Sequence, residues 1–77
     1  MVFEVYAIKD TVVGTFGAPF IVPNKETAIR TFKIQNSDKP IYKDLQLYKL
    51  GDFNIYTGHL NETDFQFILG GEENAQV

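Results

Sequence analysis

Residues 2–9, Val-Phe-Glu-Val-Tyr-Ala-Ile-Lys, alternate as a β-strand does, yet both faces they form are largely apolar. Phe3, Val5 and Ala7 fall on one side, and Val2, Glu4, Tyr6 and Ile8 on the other. A strand of this kind is the central strand of a small sheet, or one whose second face is covered by a partner chain. The 77 residues leave room for one domain. A chain this short buries only roughly 60% of the surface its unfolded form exposes. Cysteine is absent, so neither disulfides nor thiolate–metal sites reinforce the fold. Stability must come from aromatic packing, with seven Phe and four Tyr available, and from self-association. A homodimer is therefore expected.

The remaining elements follow from punctuation along the chain. Asp10 to Gly17 reads as a connection bent at Gly14 and Gly17. Phe20-Ile21-Val22 is a short extended piece between Pro19 and Pro23, suited to an edge or bulged strand because proline cannot donate to a ladder. Asn24 is a candidate N-cap for a helix from about Lys25 to Gln35, with Glu26 in its first turn. Ala28, Ile29 and Phe32 form its apolar stripe, expected to dock on Phe3, Val5 and Phe20 or their neighbours. Glu26 and Arg30 stand four apart in the orientation that favours an ion pair, worth about 0.3 kcal/mol. Asn36-Ser37-Asp38-Lys39-Pro40 ends the helix. Leu45 to Phe53 is a third strand, Asn54 to Gly58 a turn, and a strand returning from about His59 is followed by a last candidate at Phe65–Leu69, stopped by Gly70-Gly71. These elements predict an α+β domain over residues 1–71: a small, mainly antiparallel sheet of three to five strands with one helix on one face. Residues 72–77 read as a disordered C-terminal tail.

Catalytic and metal-binding patterns are poorly supported. His59 is the single histidine and Ser37 the single serine, in separate loops, which leaves a hydrolase triad without its parts. Without cysteine His59 heads no His/Cys metal site, and Gly14-Thr15-Phe16-Gly17 lacks the Lys-Ser/Thr of a phosphate loop. No cofactor or metal is expected, and the chain reads as a binding protein, not an enzyme. No signal peptide or bilayer-spanning run is visible, so a cytoplasmic protein with no membrane contact is expected.

Net charge is −3, which argues against DNA binding driven by bulk charge. The basic residues are nonetheless concentrated: Lys25, Arg30, Lys33, Lys39, Lys43 and Lys49 lie in the middle of the chain, interleaved with Phe32, Tyr42 and Tyr48. Single-stranded nucleic acid is held by rings that stack on bases and cations that follow the phosphates. Arg30, Lys33, Lys43, Lys49, Tyr42 and Tyr48 are therefore the candidate DNA-binding residues, with Tyr42 or Tyr48 expected to be exposed beside one positive stripe. The ordinary alternative is that Phe32 and one of Leu47 or Tyr48 are core while the lysines are simply solvated.

Several blocks, in order, carry a family likeness: the N-terminal strand leading to Asp10, Pro19-Phe20, Ala28-Ile29-Arg30-Thr31-Phe32, Leu47-Tyr48-Lys49-Leu50-Gly51-Asp52-Phe53 and Thr57-Gly58. Across about residues 2–60 the chain resembles the small nonstructural protein of gokushovirus-type microviruses, a family of single-stranded DNA phages. The resemblance implies a protein absent from the virion that acts in the host cytoplasm. Its role would lie at the change from duplex replication to the production and packaging of single-stranded DNA, through DNA binding. The family supplies no catalytic residues, and Arg30 is the one charged residue that matches its Ala-Ile-Arg position. The stretch between the helix and Leu45 is shorter than in that family and lacks its His-Pro-acid segment, so no site is carried over there. The competing expectation is a protein–protein adaptor, a homodimeric module engaging a viral or host replication or assembly protein.

Overall fold

β1 (Val2–Asp10) is the central strand of the sheet, and Val5, Tyr6 and Ala7 are buried on its two faces, whereas Val2 at its start is exposed. A computed structural model describes residues 2–71, with Thr63 and Asp64 described by their backbone alone. The elements that follow are β2 (Thr15–Phe16), β3 (Phe20–Val22), α1 (Lys25–Asn36), a 3₁₀ turn (Tyr42–Asp44), β4 (Leu45–Asn54) and β5 (Leu60–Gly70). All pairings are antiparallel, in the order β2-β1-β4-β5. β3 pairs with β1 along the edge that β2 also uses, β3 against Glu4–Tyr6 and β2 against Lys9 and Asp10. Among the described residues the domain is thus α+β, a five-stranded antiparallel sheet with the helix α1 on one face. The expected return strand and last strand are one continuous element, β5. The expected tail, 72–77, lies outside the described residues.

The local chemistry explains the boundaries. Asp10 Oδ1 accepts from the Val12 and Val13 amides at 3.0 and 3.2 Å, and Gly14, at φ +84°, completes the turn into β2. Asn24 is extended and its Oδ1 accepts from the Thr27 amide at 2.8 Å, closing the first turn of α1 as an N-cap does. Near its C-terminal end, the buried Asn36 donates through Nδ2 to the Phe32 carbonyl at 2.9 Å. Glu26 and Arg30 form no ion pair. Both are exposed, where holding two long side chains together costs as much as the contact returns.

The helix covers the opposite face of β1 from the one expected. Its Ala28 and Phe32 pack with Tyr6, Val22, Tyr42, Leu45 and Leu47, and Ile8, Phe20, Ile29, Ile68 and Leu69 close the margins. The register supplies the reason. Tyr6 pairs with Phe20, Glu4 with Val22, Ile8 with Leu47 and Asp10 with Leu45, so the even-numbered face of β1 is continuous with the apolar residues of β3 and β4. Phe20 packs there as expected, whereas Phe3 and Val5 belong to the other face.

β4 and β5 are irregular at two places. The ladder shifts between Leu47 and Tyr48, where Ile68 is the extra residue, and again between Lys49 and Gly51. Leu50 is also the extra residue against β1, which shifts between Val5 and Tyr6. At Gly51 the β5 backbone approaches so closely that a Cβ would collide with the Asn61 carbonyl oxygen. Gly51→Ala is expected to lose more stability than Asn24→Ala. The lost cap costs about 1 kcal/mol, or about 4–8 °C in Tm for a domain of this size. Thermal unfolding followed by circular dichroism checks the order, and a Gly51→Ala protein that melts with the parent would show that β5 yields at this point.

An aromatic concave face as the candidate functional site

The two bulged regions bend β4 and β5, and the sheet curls away from the helix. The result is visible in one distance. Phe16 on β2 and Phe65 on β5 sit at opposite ends of the strand order, yet their ring centroids are 5.5 Å apart. Tyr48 bridges them, edge-on to Phe16 at 5.4 Å and stacked on Phe65 at 4.6 Å, and Phe67 meets Tyr48 edge-on at 5.6 Å. These rings lie over Ala7, the cross-strand partner of Tyr48, which is only 1% exposed although it faces away from the helix. The outer surfaces of the rings stay in water: Phe16 is 41%, Phe67 46% and Phe65 57% exposed. Lys9, opposite Phe16 in the ladder, holds its ammonium 5.7 Å from that ring.

Beside the rings is an apolar cleft of ≈ 460 Å³, lined by Val5, Pro19, Leu50, Leu60, Glu62 and Phe65 among others. Phe65 belongs to both features, so cleft and ring cluster form one continuous concave surface.

The residues expected to bind DNA do not converge here. Tyr48 does reach this face, with its hydroxyl donating to Gln46 Oε1 at 2.9 Å. Tyr42 does not: it is 6% exposed, packed on Phe32 at 5.4 Å within the helix-side core, so its ring has no surface on which a base can stack. Arg30 and Lys33 are exposed on α1 and Lys43 on the 3₁₀ turn, all in the layer across the sheet from Tyr48. Lys49 is on the helix side of β4, with Nζ 3.3 Å from Asp52 and 3.6 Å from Glu4. Residues three apart on a regular strand face opposite ways; Lys49 and Asp52 meet because Leu50 is the extra residue between them. The four cations thus lie on the helix side of the sheet, while Tyr48 is on the other face and Tyr42 is buried, so neither tyrosine stands exposed beside them. Sequence reasoning missed Phe16, Phe65, Phe67 and Lys9. The available signal was Phe65-Gln66-Phe67, two rings spaced to share a strand face around a polar residue.

Glu4 also accepts from the fully buried Tyr6 hydroxyl, at 2.6 Å. Burial first, and then the Glu4 carboxylate, push the Tyr6 hydroxyl well above the usual tyrosine range. The fold holds the Tyr6 proton more tightly than the unfolded chain does, so this contribution is complete below about pH 10 and is lost as pH rises above it. In an ultraviolet titration Tyr6 should ionise only as the structure unfolds, and Tyr6→Phe should remove one phenolate from that late step. A second expectation concerns the floor of the ring cluster. Ala7→Leu should force the rings apart and cost about 1–3 kcal/mol in urea unfolding, with loss of near-ultraviolet aromatic dichroism. An unchanged midpoint would show that the rings do not rest on Ala7.

Among the described residues no helix is long and apolar enough to cross a membrane. No curated protein and no solved structure matches the chain. A family model described as "Phage ORF5 protein" matches residues 3–74, nearly the whole length. Apart from Val2, the strands, helix and ring-bearing face described above fall within that span, and the chain belongs to the Phage ORF5 protein family.

Proposed function

We propose that this phage protein is a nonstructural protein of the gokushovirus type. On this reading it binds single-stranded DNA in the host cytoplasm during genome replication and packaging, as a binding protein and not an enzyme. One observation carries this reading: Phe16, Tyr48, Phe65 and Phe67 touch one another on a concave sheet face and keep ring surface in water. Bases stacked on such rings gain about 1–3 kcal/mol each, without regard to sequence. Lys9 is the cation that the described residues bring to these rings, and it can meet a phosphate beside a stacked base. The site differs from the one the basic middle of the chain suggests. Stacking dominates it, and Arg30, Lys33, Lys43 and Lys49 contribute little.

That difference can be measured. Fluorescence anisotropy with a labelled single-stranded oligonucleotide should give binding with weak salt dependence. With one or two phosphates neutralised, the slope of log K against log salt is about −0.7 to −1.4. Phe65→Ala combined with Phe67→Ala should weaken binding at least tenfold in a protein whose circular dichroism is unchanged. Arg30→Glu with Lys33→Glu should change it less than threefold. The net charge of −3 favours a second reading, in which the same rings hold a viral or host replication or assembly protein. A parent protein that binds no oligonucleotide at high micromolar concentration would make this adaptor reading the better one.

A further inference from the structure

We propose that the outer edge of β5 pairs with the same edge of a second copy of the chain. The pairing is antiparallel about a two-fold axis at Gln66, and it joins two concave faces into one trough. This inference concerns association between copies and does not depend on DNA binding.

The two edges of the sheet differ in kind. One is made by β2 and β3, five residues in two pieces, interrupted at residues 17–19 and flanked by Pro19 and Pro23. Short strands and proline are the usual protection of an edge against further pairing. The other edge is β5, eleven residues from Leu60 to Gly70 with no proline, lysine or arginine. Among the described residues no strand pairs with it on the side away from β4. Its backbone there, with the exposed Phe65 and Phe67, is a template for another strand.

The bulges select where that strand sits and favour an identical copy. The ladder with β4 is broken on both sides of the run in which Tyr48 pairs with Phe67 and Lys49 with Gln66. The regular stretch open to a neighbour is therefore short, centred on Phe65–Phe67, and Gly70 is not needed for it. Antiparallel pairing centred on Gln66 sets each Phe65 directly across from Phe67 of the other copy. Both rings of each pair belong to the concave face, so two aromatic cross-strand contacts form at once. At the axis the uncharged Gln66 meets its own copy, so no like charges meet within the Phe65–Phe67 stretch. A shift by one residue would place each Phe opposite a residue of the other face. The contact is isologous and closes at two copies.

Sedimentation velocity of the full chain, without nucleic acid, should show a concentration-dependent species of twice the 8.8 kDa chain mass. Because the chain has no cysteine, Gln66→Cys introduces a single thiol. At the two-fold axis it faces its own copy with Cα atoms about 4.5–5.5 Å apart, a separation that a disulfide can span. Mild oxidation should cross-link Gln66→Cys at least tenfold faster than Val12→Cys, an exposed position on the β1–β2 turn. Gln66→Lys, which sets like charges across the axis, should lower the dimer fraction in a folded protein. A monomer at high micromolar concentration overturns the proposal. So does a dimer in which Gln66→Cys cross-links no faster than Val12→Cys, since it would use another surface. The parent's sedimentation decides the first point even if a variant fails to fold.

Discussion

The extra residue at Leu50, with Gly51 next to it, sets where the functional side chains point. A strand alternates strictly, and one added residue reverses every side chain beyond it. Here the reversal brings Lys49 and Asp52 to the helix side with Glu4, and leaves Tyr48 and Leu50 on the concave side. The close approach of the Asn61 carbonyl to Gly51 holds the bulge in place, since only a residue without Cβ fits there. The same distortion bends β5 until Phe65 stands over Tyr48 and reaches Phe16. Ion pairs on one side and the ring cluster on the other thus share one backbone cause.

Much of the fold was legible because its signals are local. Asn24 before a helix, the prolines around β3 and the alternation of residues 2–9 each act within a few residues, and the structure bears out all three. The choice of face for α1 is not local. Both faces of β1 are apolar, and the decision depends on which one lines up with Phe20, Val22, Leu45 and Leu47 in the neighbouring strands. Bulges are hidden for the same reason. Nothing in Leu47-Tyr48-Lys49-Leu50 shows that Leu50 is the extra residue, so a reading by alternation cannot tell which side Lys49 takes relative to Asp52. Tyr42 illustrates another limit. Tyrosine suits a half-wet surface as well as a core, and only the tertiary contact with Phe32 places it inside.

The chain divides its apolar material between two small clusters, which is unusual for so little sequence. The helix side is closed, with Tyr6, Phe32 and Leu47 fully buried. The concave side is half closed, its rings covering Ala7 but themselves open to water. A small domain gains little by exposing Phe, since each ring left in water forgoes stabilisation of about 1.5–3 kcal/mol when compared with full burial. Rings that are held together by mutual contact and yet kept open have a fixed geometry ready for a flat or apolar partner, at low entropic cost on binding.

Charge placement separates two ways in which such a protein can hold a polyanion. Where cations line the contact, affinity comes largely from counterion release and collapses with salt. Here most cations lie on the helix, on the 3₁₀ turn, or in the ion pairs of Lys49, while the rings sit across the sheet with Lys9 beside them. An acidic chain with net charge −3 gains little from long-range attraction to DNA. Any affinity of the concave face for bases must therefore be short-ranged and proportional to the number of rings engaged. One chain offers four rings in a compact group, enough for only a few nucleotides. Lengthening the contact requires more rings in line, which a sheet supplies by adding strands at an open edge. Phe65 and Phe67 lie on the strand that, among the described residues, no other strand pairs on the side away from β4, so a step that extended the sheet there would also extend the aromatic surface.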